Sequence, residues 1–434
     1  MDWIIAPVGR LQGTVAVPGD KSLSHRLAML CALSGGRSVL HGYLDSEDCL
    51  HALDAVAALG AGVEREGTRV VITGTGGRLR TPDGPLEMGN SGTLTRLLAG
   101  LVAGYPVEVR LQGDASLQSR PMRRVLEPLA RMGADAVSLP GNGCAPLRIR
   151  GGRLTGIAYT LPVASAQIKS AMLLAGLRAR GTTRVVEPAP SRDHTERLLA
   201  ALGLPVRRDG AAVEVDGSDG EPLDIPARDW PIPGDPSSAA FWLVAGAALP
   251  GSEVTVRQVG LNPTRCAFLD VLREMGADIE VSGLRETAWE PQGDVTVRGG
   301  APLRGIEIGG ARIANLIDEL PVLAVVAAAA RGTTRIRDAA ELRVKESDRI
   351  ATTAAMLQAC GVPVETRDDG LDVAGGAVIR GGGVIASRGD HRIAMAGAVL
   401  ALRATEPVTI RGTACVATSY PGFIDGLRAL RPMG

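Results

Sequence analysis

Long apolar runs alternate along this chain with turns and short β-branched segments. Each run is rich in alanine and leucine and is apolar on nearly all sides of the helix that it predicts, so we expect six buried helices. A turn and a β-branched segment follow each run, which predicts a strand after every buried helix. The six predicted strands lie near Val39, Val109, Val185, Val254, Ile336 and Ile410.

A second pattern ends other predicted helices with a glycine, as in Met132-Gly-Ala-Asp-Ala and Met275-Gly-Ala-Asp-Ile. Glycine accepts a left-handed backbone at low cost, which is typical of the residue after a helix. These glycines, at positions 60, 133, 203, 276 and 361, recur at intervals of 73, 70, 73 and 85 residues. The chain is therefore predicted to contain six α/β units.

The first and fourth units resemble each other most closely, which divides the chain into halves. Pro18-Gly-Asp-Lys-Ser matches Pro233-Gly-Asp-Pro-Ser, 215 residues further on. A continuous six-unit solenoid is the alternative, and it is disfavoured because the units share no consistent solenoid consensus.

The last unit lacks strands after its final predicted helix at 423–430, whereas residues 3–7 and 13–17 are strand-like runs without a unit of their own. We therefore expect the N-terminus to complete the C-terminal domain. The predicted domains are residues 21–235, and residues 1–20 together with 236–434.

The first residues of the buried helices are polar and often basic. Side chains of Ser, Asp, Asn and Thr cap free backbone N–H groups at such positions, which accounts for Asp235 and Ser237. Capping does not account for four cations, because a positive charge near a helix N-terminus opposes the macrodipole. These cations are Lys21, Arg26, Arg96 and Arg392. A phosphate or carboxylate ligand in front of the helices would favour them, so we expect anionic ligands.

A nucleotide-binding loop is disfavoured at the first of these helices. Asp20 stands directly before Lys21, where a P-loop requires glycine. No GxGxxG sequence follows the first predicted strand either, so neither a nucleotide kinase nor a dinucleotide enzyme is expected.

Composition narrows the function further. The 434 residues carry 47 basic and 47 acidic side chains, and this zero net charge argues against nucleic acid or an anionic membrane as a partner. Six scattered cysteines without a CxxC pair indicate free thiols of a reducing compartment and no metal site. Residues 1–8 have no signal-peptide pattern and the longest apolar run is 321–330, so we expect a cytoplasmic protein.

Lysine is rare, and Lys21, Lys169 and Lys345 are the three that occur. A lysine that persists in so arginine-rich a chain marks a place where a compact ammonium is needed. On a helix, Lys345 and Arg349 would share one face at i, i+4, beside Glu346. A solvated helix face with weak ion pairs is the alternative for this cluster, and the rarity of lysine favours a functional one.

Five segments together resemble the signature motifs of the 5-enolpyruvylshikimate-3-phosphate synthases. They are Pro18-Gly-Asp-Lys-Ser-Leu-Ser-His-Arg26, Gly89-Asn-Ser-Gly-Thr93, Gly113-Asp-Ala-Ser-Leu-Gln-Ser-Arg-Pro-Met122, Arg343-Val-Lys-Glu-Ser-Asp-Arg349 and Asp390-His-Arg392. The resemblance covers the whole chain in order. It implies a two-domain inside-out α/β barrel, with three repeated units of buried helices and mixed sheets per domain and the active site in the interdomain cleft.

The resemblance also implies a reaction of the shikimate pathway to chorismate and the aromatic amino acids. The enolpyruvyl (carboxyvinyl) group of phosphoenolpyruvate passes to the 5-hydroxyl of shikimate 3-phosphate through a tetrahedral intermediate, and phosphate is released. The family uses no metal and no other cofactor. Its partners are these two small-molecule substrates, and we expect a monomer.

The roles of individual residues follow from the same resemblance. Asp318 would be the base near the 5-hydroxyl, and Glu346 the acid and then the base at C3 of phosphoenolpyruvate. Lys21 and Lys345 would offset the developing charge. The residues that match ligands of shikimate 3-phosphate are Lys21, Ser22, Arg26, Ser165, Ala166, Gln167, Ser191, Asp318 and Lys345. Those that match ligands of phosphoenolpyruvate are Lys21, Asn90, Gly92, Arg120, Gln167, Arg349 and Arg392.

The chain departs from many members of the family at two contacts. Ala166 stands where many have a second serine, and Thr418 where some have a lysine. Gly92 is retained, so the resemblance leaves open the sensitivity to glyphosate, an inhibitor that targets this family.

Two alternatives remain at this point. UDP-N-acetylglucosamine enolpyruvyl transferases share the fold, but they carry Lys-Asn in place of Lys21-Ser22 and a reactive cysteine where residues 116–124 have none. The second alternative is a non-catalytic anion-binding repeat protein. Such a protein would need no acidic side chains beside its lysines and arginines, so the presence of Asp318 and Glu346 disfavours it.

Overall fold

The computed structural model describes residues 1–286 and 289–431. The chain forms two compact units, Gly19–Ile232, and Met1–Pro18 together with Pro233–Gly434. The first is called the middle unit here and the second, which begins and ends the chain, the terminal unit. Within the described residues, the helices fall short of the length and apolarity that crossing a bilayer requires.

Fourteen α-helices are present among the described residues. They are α1 (Lys21–Leu33), α2 (Glu47–Ala58), α3 (Gly92–Ala103), α4 (Ala115–Ser119), α5 (Arg123–Arg131), α6 (Ala166–Gly176), α7 (His194–Ala201), α8 (Pro236–Ala248), α9 (Ala267–Glu274), α10 (Ile313–Leu316), α11 (Leu320–Ala329), α12 (Arg349–Ala359), α13 (His391–Ala401) and α14 (Phe423–Ala429). Three 3₁₀-helices span Gly310–Arg312, Ala340–Val344 and Thr413–Thr418.

The same residues contain twenty-three strands. They are β1 (Asp2–Ile5), β2 (Gln12–Ala16), β3 (Arg37–His41), β4 (Gly62–Glu66), β5 (Arg69–Thr73), β6 (Leu86–Glu87), β7 (Glu108–Gln112), β8 (Asp135–Ser138), β9 (Leu147–Arg150), β10 (Ala158–Thr160), β11 (Thr182–Val186), β12 (Val206–Asp209), β13 (Ala212–Asp216), β14 (Asp229–Pro231), β15 (Glu253–Gly260), β16 (Asp278–Arg285), β17 (Gln292–Arg298), β18 (Glu307–Ile308), β19 (Gly332–Ile336), β20 (Val364–Arg367), β21 (Gly370–Gly375), β22 (Val384–Ala386) and β23 (Val408–Arg411).

The strands form six mixed sheets with one repeated topology. In the middle unit the orders are β14-β3-β5-β4, β6-β7-β9-β8 and β10-β11-β13-β12, and in each the first pair is parallel and the others are antiparallel. The terminal unit repeats the pattern in β2-β15-β17-β16 and β18-β19-β21-β20. Its third sheet, β22-β23-β1, has three strands. The predicted mixed α/β class with repeated units is confirmed.

The N-terminal strands belong to sheets of the terminal unit. β1 pairs antiparallel with β23, in a register that runs from Asp2 opposite Arg411 to Ile5 opposite Val408. β2 lies parallel to β15, with Val15 opposite Val256. Leu11, between the two strands, is fully buried. β1 and β2 are thus edge strands of two sheets whose other strands come from the second half of the chain.

Buried helices form the interior of each unit, as their apolar sequences predict. All thirteen residues of α8 are buried, and α3 and α6 are buried along most of their length in the middle unit. The close approach of α3 to α6 depends on Gly100, because a Cβ at that position would lie 2.2 Å from the backbone oxygen of Ala171. The six predicted strands are also confirmed, as β3, β7, β11, β15, β19 and β23.

The predicted helix through Lys345 and Arg349 is wrong. The 3₁₀-helix ends at Val344, Lys345 has an extended backbone, and α12 begins only at Arg349. The carboxylate of Asp348 accepts hydrogen bonds from the N–H groups of Ile350 and Ala351, and such a cap starts a helix rather than continuing one.

Candidate active site

In the middle unit, most of the site residues expected from the sequence lie at the starts of α1, α3 and α6. Asp20 caps α1, Ser91 caps α3, and Ser165 caps α6 by accepting from the N–H of Ile168 at 3.5 Å. Ala166 is the first residue of α6. Capping therefore occupies the hydroxyl of Ser165 in this structure.

Lys21 pairs with a carboxylate that sequence reasoning did not find. Its ammonium lies 2.8 Å from Oδ2 of Asp48, in the first turn of α2, and the Asp48 side chain is only 6% exposed. Burial lowers the pKa of neighbouring His25 to about 4, with Lys21 acting in the same direction and Asp48 against it. His25 is thus neutral at physiological pH, and Lys21 supplies the positive charge at the start of α1.

Arg26 is buried and held by three acceptors. Its guanidinium donates to Oγ1 of Thr195 at 2.7 Å, to Oγ of Ser170 at 2.9 Å and to the carbonyl oxygen of Ser22 at 2.9 Å. Ser22 and Arg26 are therefore neighbours, as their common motif suggests. Thr195 and Ser170 come from distant parts of the chain, and no spacing in the sequence identifies them.

Gln167 connects α6 to the start of α3. Its Oε1 accepts from Nη1 of Arg96 at 2.6 Å, and its amide donates to Oγ1 of Thr93 at 2.8 Å. Arg96 also donates to the carbonyl oxygen of Pro121 at 3.1 Å. The helix-start cation Arg96, which the family motifs did not assign to a ligand, thus belongs to the same cluster as Gln167.

Gly92 lies between two guanidinium groups. A Cβ at this position would be 2.8 Å from Nη1 of Arg96 and 3.3 Å from Nη1 of Arg120. Arg120 is buried and donates to Oδ1 of Asn90, whose amide donates to Asp114 at 2.6 Å. The absence of a side chain at Gly92 leaves space that is lined by two cations and the N-terminus of α3, which favours an anion.

Ser191 lies apart from these contacts, in the segment between β11 and α7. It is buried, and its hydroxyl donates to Glu187.

In the terminal unit, Arg349 gathers the predicted acid and base. Its guanidinium contacts Oδ2 of Asp390 at 2.8 Å, Oε2 of Glu346 at 2.5 Å and Oδ1 of Asp318 at 3.2 Å. The Arg349 side chain is 1% exposed, that of Asp390 0%, and those of Glu346 and Asp318 just under 20%. Burial acts to lower the pKa of Arg349, but the three carboxylates together raise it above its ordinary value, so it stays charged.

Arg392 and Lys345 complete this group. Arg392 donates to the carbonyl oxygen of Asp318 at 2.8 Å and lies 3.6 Å from Oε1 of Glu319. Burial lowers the pKa of Lys345, while the nearby Asp318 acts to raise it. The structure therefore brings three predicted residues of the terminal unit, Asp318, Glu346 and Arg392, together with the buried Arg349, and Lys345 lies beside them.

The expectation that capping accounts for Asp235 and Ser237 is correct for Asp235 and incomplete for Ser237. Asp235 accepts from the N–H groups of Ser237 and Ser238. The hydroxyl of Ser237 instead donates to Glu319, next to Asp318, and accepts from Arg265 at 2.9 Å. A serine hydroxyl at a helix start can take part in a side-chain hydrogen-bond network instead of capping the helix, and the sequence does not distinguish these two roles.

Comparison with known proteins gives consistent results over the full length. A family model described as EPSP synthase (3-phosphoshikimate 1-carboxyvinyltransferase) matches residues 5–427. The chain is 53% identical to the 3-phosphoshikimate 1-carboxyvinyltransferase of Halorhodospira halophila, over 99% of this chain and 96% of the relative. It is 48% identical to that of Geobacillus kaustophilus, over 98% of both chains.

Solved structures agree. EPSP synthase from Acinetobacter baumannii superimposes with a TM-score of 0.87 and 40% identity, over 99% of this chain and 98% of that one. The enolpyruvyl transferase NikO from Streptomyces tendae superimposes with a TM-score of 0.79 over 98% of this chain and 96% of that one, and at 21% identity this likeness concerns the fold alone.

Proposed function

Since the chain belongs to the EPSP synthase family and is a 3-phosphoshikimate 1-carboxyvinyltransferase of the shikimate pathway, we propose how its residues perform that reaction. The observation that carries the proposal is the convergence of Asp318 and Glu346 on Arg349. The reaction moves two protons in opposite directions, and two carboxylates held side by side by one cation suit it.

In the addition step, Asp318 takes the proton of the 5-hydroxyl of shikimate 3-phosphate. At the same time, the oxygen of that hydroxyl attacks C2 of phosphoenolpyruvate. Glu346 gives a proton to C3, and the tetrahedral adduct forms. In the elimination step Glu346 removes a proton from C3, the double bond returns, and the C–O bond to phosphate breaks. Asp318 gives the proton that it took from the hydroxyl to the departing phosphate, so both carboxyl groups return to their starting states. Lys21 and Lys345 offset the negative charge that develops on the phosphate and on the attacking oxygen.

Phosphoenolpyruvate is bound by cations from both units. From the middle unit, the ligand is contacted by Arg120, Gln167 and Lys21. Asn90 orients Arg120, and Gly92 leaves room for the ligand to approach the backbone closely. From the terminal unit, Arg392 and Arg349 contact its anionic groups. Arg349 does so by exchanging its longest carboxylate contact, at 3.2 Å to Asp318, for the ligand. That exchange releases Asp318 to act as the base.

Shikimate 3-phosphate is bound mainly by the middle unit. Its contacts come from Lys21, Ser22 and Arg26 at α1, from residues 165–167 at α6, and from Ser191. Lys345 and Asp318 contact it from the terminal unit. We also propose that the two units form an inside-out barrel with the active site in the interdomain cleft, and that the domains divide at residues 21 and 235. The protein is further proposed to be monomeric and cytoplasmic.

Phosphate release from phosphoenolpyruvate tests the proposal. Shikimate 3-phosphate and UDP-N-acetylglucosamine are offered separately as acceptors, with and without a chelator. Release with shikimate 3-phosphate alone, unaffected by the chelator, is expected. Release with the sugar nucleotide alone would keep the chemistry of Asp318 and Glu346 but overturn the acceptor, and with it the assignment of Ser191. Release with neither acceptor, from folded protein, would overturn the assignment of Asp318 and Glu346 as base and acid.

A further inference from the structure

Lys169 is one of the three lysines of the chain, and the proposed reaction gives it no task. It lies in the first turn of α6, and its side chain is 0% exposed. Its ammonium lies 2.9 Å from Oε2 of Glu187, 2.7 Å from Oε1 of Glu196 and 3.4 Å from the carbonyl oxygen of Ser191. An ammonium has three protons for three acceptors in divergent directions, whereas a guanidinium is planar. This geometry explains why lysine persists here in an arginine-rich chain.

The charges around Lys169 are balanced. Glu187 is 1% exposed and Glu196 12% exposed, so one buried cation faces two nearly buried anions. Arg208, on β12, lies 3.5 Å from a carboxylate oxygen of each glutamate and is 43% exposed. Two cations and two anions form the group, which avoids the large cost of an unpaired buried charge.

This group holds Ser191 at two points. Lys169 contacts the backbone carbonyl oxygen of Ser191, and Oε1 of Glu187 accepts from its hydroxyl. Glu187 itself is anchored to the sheet, because its N–H donates to the carbonyl oxygen of Ala211 at 3.0 Å. The segment between β11 and α7 is therefore fixed from both of its ends, with Ser191 between them.

The N-terminal turns of α6 and α7, which carry Lys169 and Glu196, also hold Arg26. Ser170 follows Lys169 on α6, and Thr195 precedes Glu196 on α7. Thr195 donates to Ser170 at 2.7 Å, and both accept from the guanidinium of Arg26. The ion-pair group thus ties together the two turns that orient Arg26.

We propose that Lys169, Glu187 and Glu196 are positioning residues for the binding of shikimate 3-phosphate. They act through Ser191 and Arg26 and do not contact the substrate themselves. The proposal rests on the proposed function, in which Ser191 and Arg26 are two of the ligands of that substrate. It predicts a role in binding one substrate and not the other.

Glu187→Gln is the decisive variant. Glu187 accepts from Lys169 with one oxygen and from the Ser191 hydroxyl with the other. Glutamine has a single acceptor oxygen, so it either loses one contact or turns its amide N–H towards Ser191, which reverses that hydrogen bond and redirects the Ser191 proton. We expect the KM and the calorimetric Kd for shikimate 3-phosphate to rise about tenfold, with kcat and the KM for phosphoenolpyruvate within about twofold of wild type. Equal effects on both substrates would indicate a merely structural role and overturn the proposal.

Glu214→Gln is the matched control. Glu214 lies on β13 of the same sheet and pairs with Arg184 and Arg207, away from Ser191. Its substitution removes the same charge and should change neither KM.

A double-mutant cycle shows whether Ser191 transmits the effect. In the background of Ser191→Ala, Glu187→Gln should raise the KM for shikimate 3-phosphate less than about threefold, because the contact that it disturbs is already missing. A full tenfold effect in that background would contradict the proposed route through Ser191.

Arg208→Met covers the case in which Glu187→Gln does not fold. It removes the partly exposed cation of the group and should raise the KM for shikimate 3-phosphate alone, by about threefold. No change in this variant would overturn the proposal. Failure of wild-type protein to use shikimate 3-phosphate at all would instead overturn the proposed function, so the two failures are distinguishable.

Discussion

At the scale of single residues, the proposed chemistry depends most on Arg349. It is buried, charged and surrounded by Asp390, Glu346 and Asp318. A buried cation can be kept charged only by such partners, and in return it fixes the direction of each carboxylate. In the proposed reaction Glu346 keeps this support, whereas Asp318 is held by it only until phosphoenolpyruvate takes over the contact with Arg349.

Replacing either acid by its amide should abolish most of the turnover. We expect kcat to fall about 10²- to 10⁴-fold for Glu346→Gln and for Asp318→Asn, because general acid–base catalysis typically contributes that factor. The calorimetric affinity for shikimate 3-phosphate should change by less than about threefold for Glu346→Gln, since the amide keeps the shape of the side chain. Glu365→Gln, which removes an exposed carboxylate of the same unit, serves as the control. Near wild-type turnover of both amide variants would show that the acid and base lie elsewhere.

His25 should make the folded state sensitive to mild acid. Its pKa falls from 6.5 to about 4 in the folded protein because of burial. The unfolded chain therefore binds the proton more readily, and the folded state loses stability as the pH falls from 6.5 towards 4. The loss attributable to His25 is about 3 kcal/mol.

Urea unfolding at several pH values measures this effect. His25→Gln should flatten the decline between pH 6.5 and 4, while the exposed His41→Gln serves as the control. An unchanged slope in His25→Gln would contradict the assignment of the effect to His25.

At the scale of elements, close helix packing makes one glycine critical. Gly100→Ala would place a methyl group 2.2 Å from the backbone oxygen of Ala171, so α3 and α6 must move apart. We expect the free energy of unfolding to fall by about 1–3 kcal/mol or more in urea titrations. Gly397→Ala on α13 is the matched control, because the three atoms nearest to its Cβ would be side-chain carbons of Ile385 and Ile410, at 3.1–3.3 Å, and not backbone atoms. An equal loss in both variants would show that backbone proximity is not the cause.

Sequence patterns predicted those elements whose conformation is set by the residues themselves and by their near neighbours in the chain. The glycines at 60, 133, 203, 276 and 361 all have positive φ after a helix, as predicted, because that conformation is a property of the residue itself. The helix expected through Lys345 failed because one cap, Asp348, outweighed a favourable charge spacing. Family motifs named most of the candidate site residues. Their supports, such as Asp48, Thr195 and Glu187, could not be predicted, since contacts between distant segments leave no periodic signal.

At the scale of the whole molecule, the N-terminal strands contribute to a unit made mostly of the second half of the chain. Ile5 and Leu11 are buried in the same core as residues of α8 and α13. β1 and β2 also supply one strand to each of two sheets.

Deleting residues 1–16 should therefore disrupt the terminal unit selectively. Loss of three buried aliphatic side chains (Ile5, Leu11 and Val15) costs about 5–9 kcal/mol, before the strand hydrogen bonds are counted. Limited proteolysis should degrade the terminal unit and spare the middle unit, and adding a peptide of residues 1–16 should restore protection. A deletion variant with wild-type resistance to protease would contradict this prediction.

The pairing of β1 with β23 also sets the order of events on the ribosome. The partners of residues 2–5 at 408–411 follow them only after roughly 20–80 s of translation, at about 5–20 residues per second. Every strand of the middle unit has been made once Pro231 is added. The middle unit can therefore fold during synthesis, whereas β1 must wait for its partner until residues 408–411 have been added.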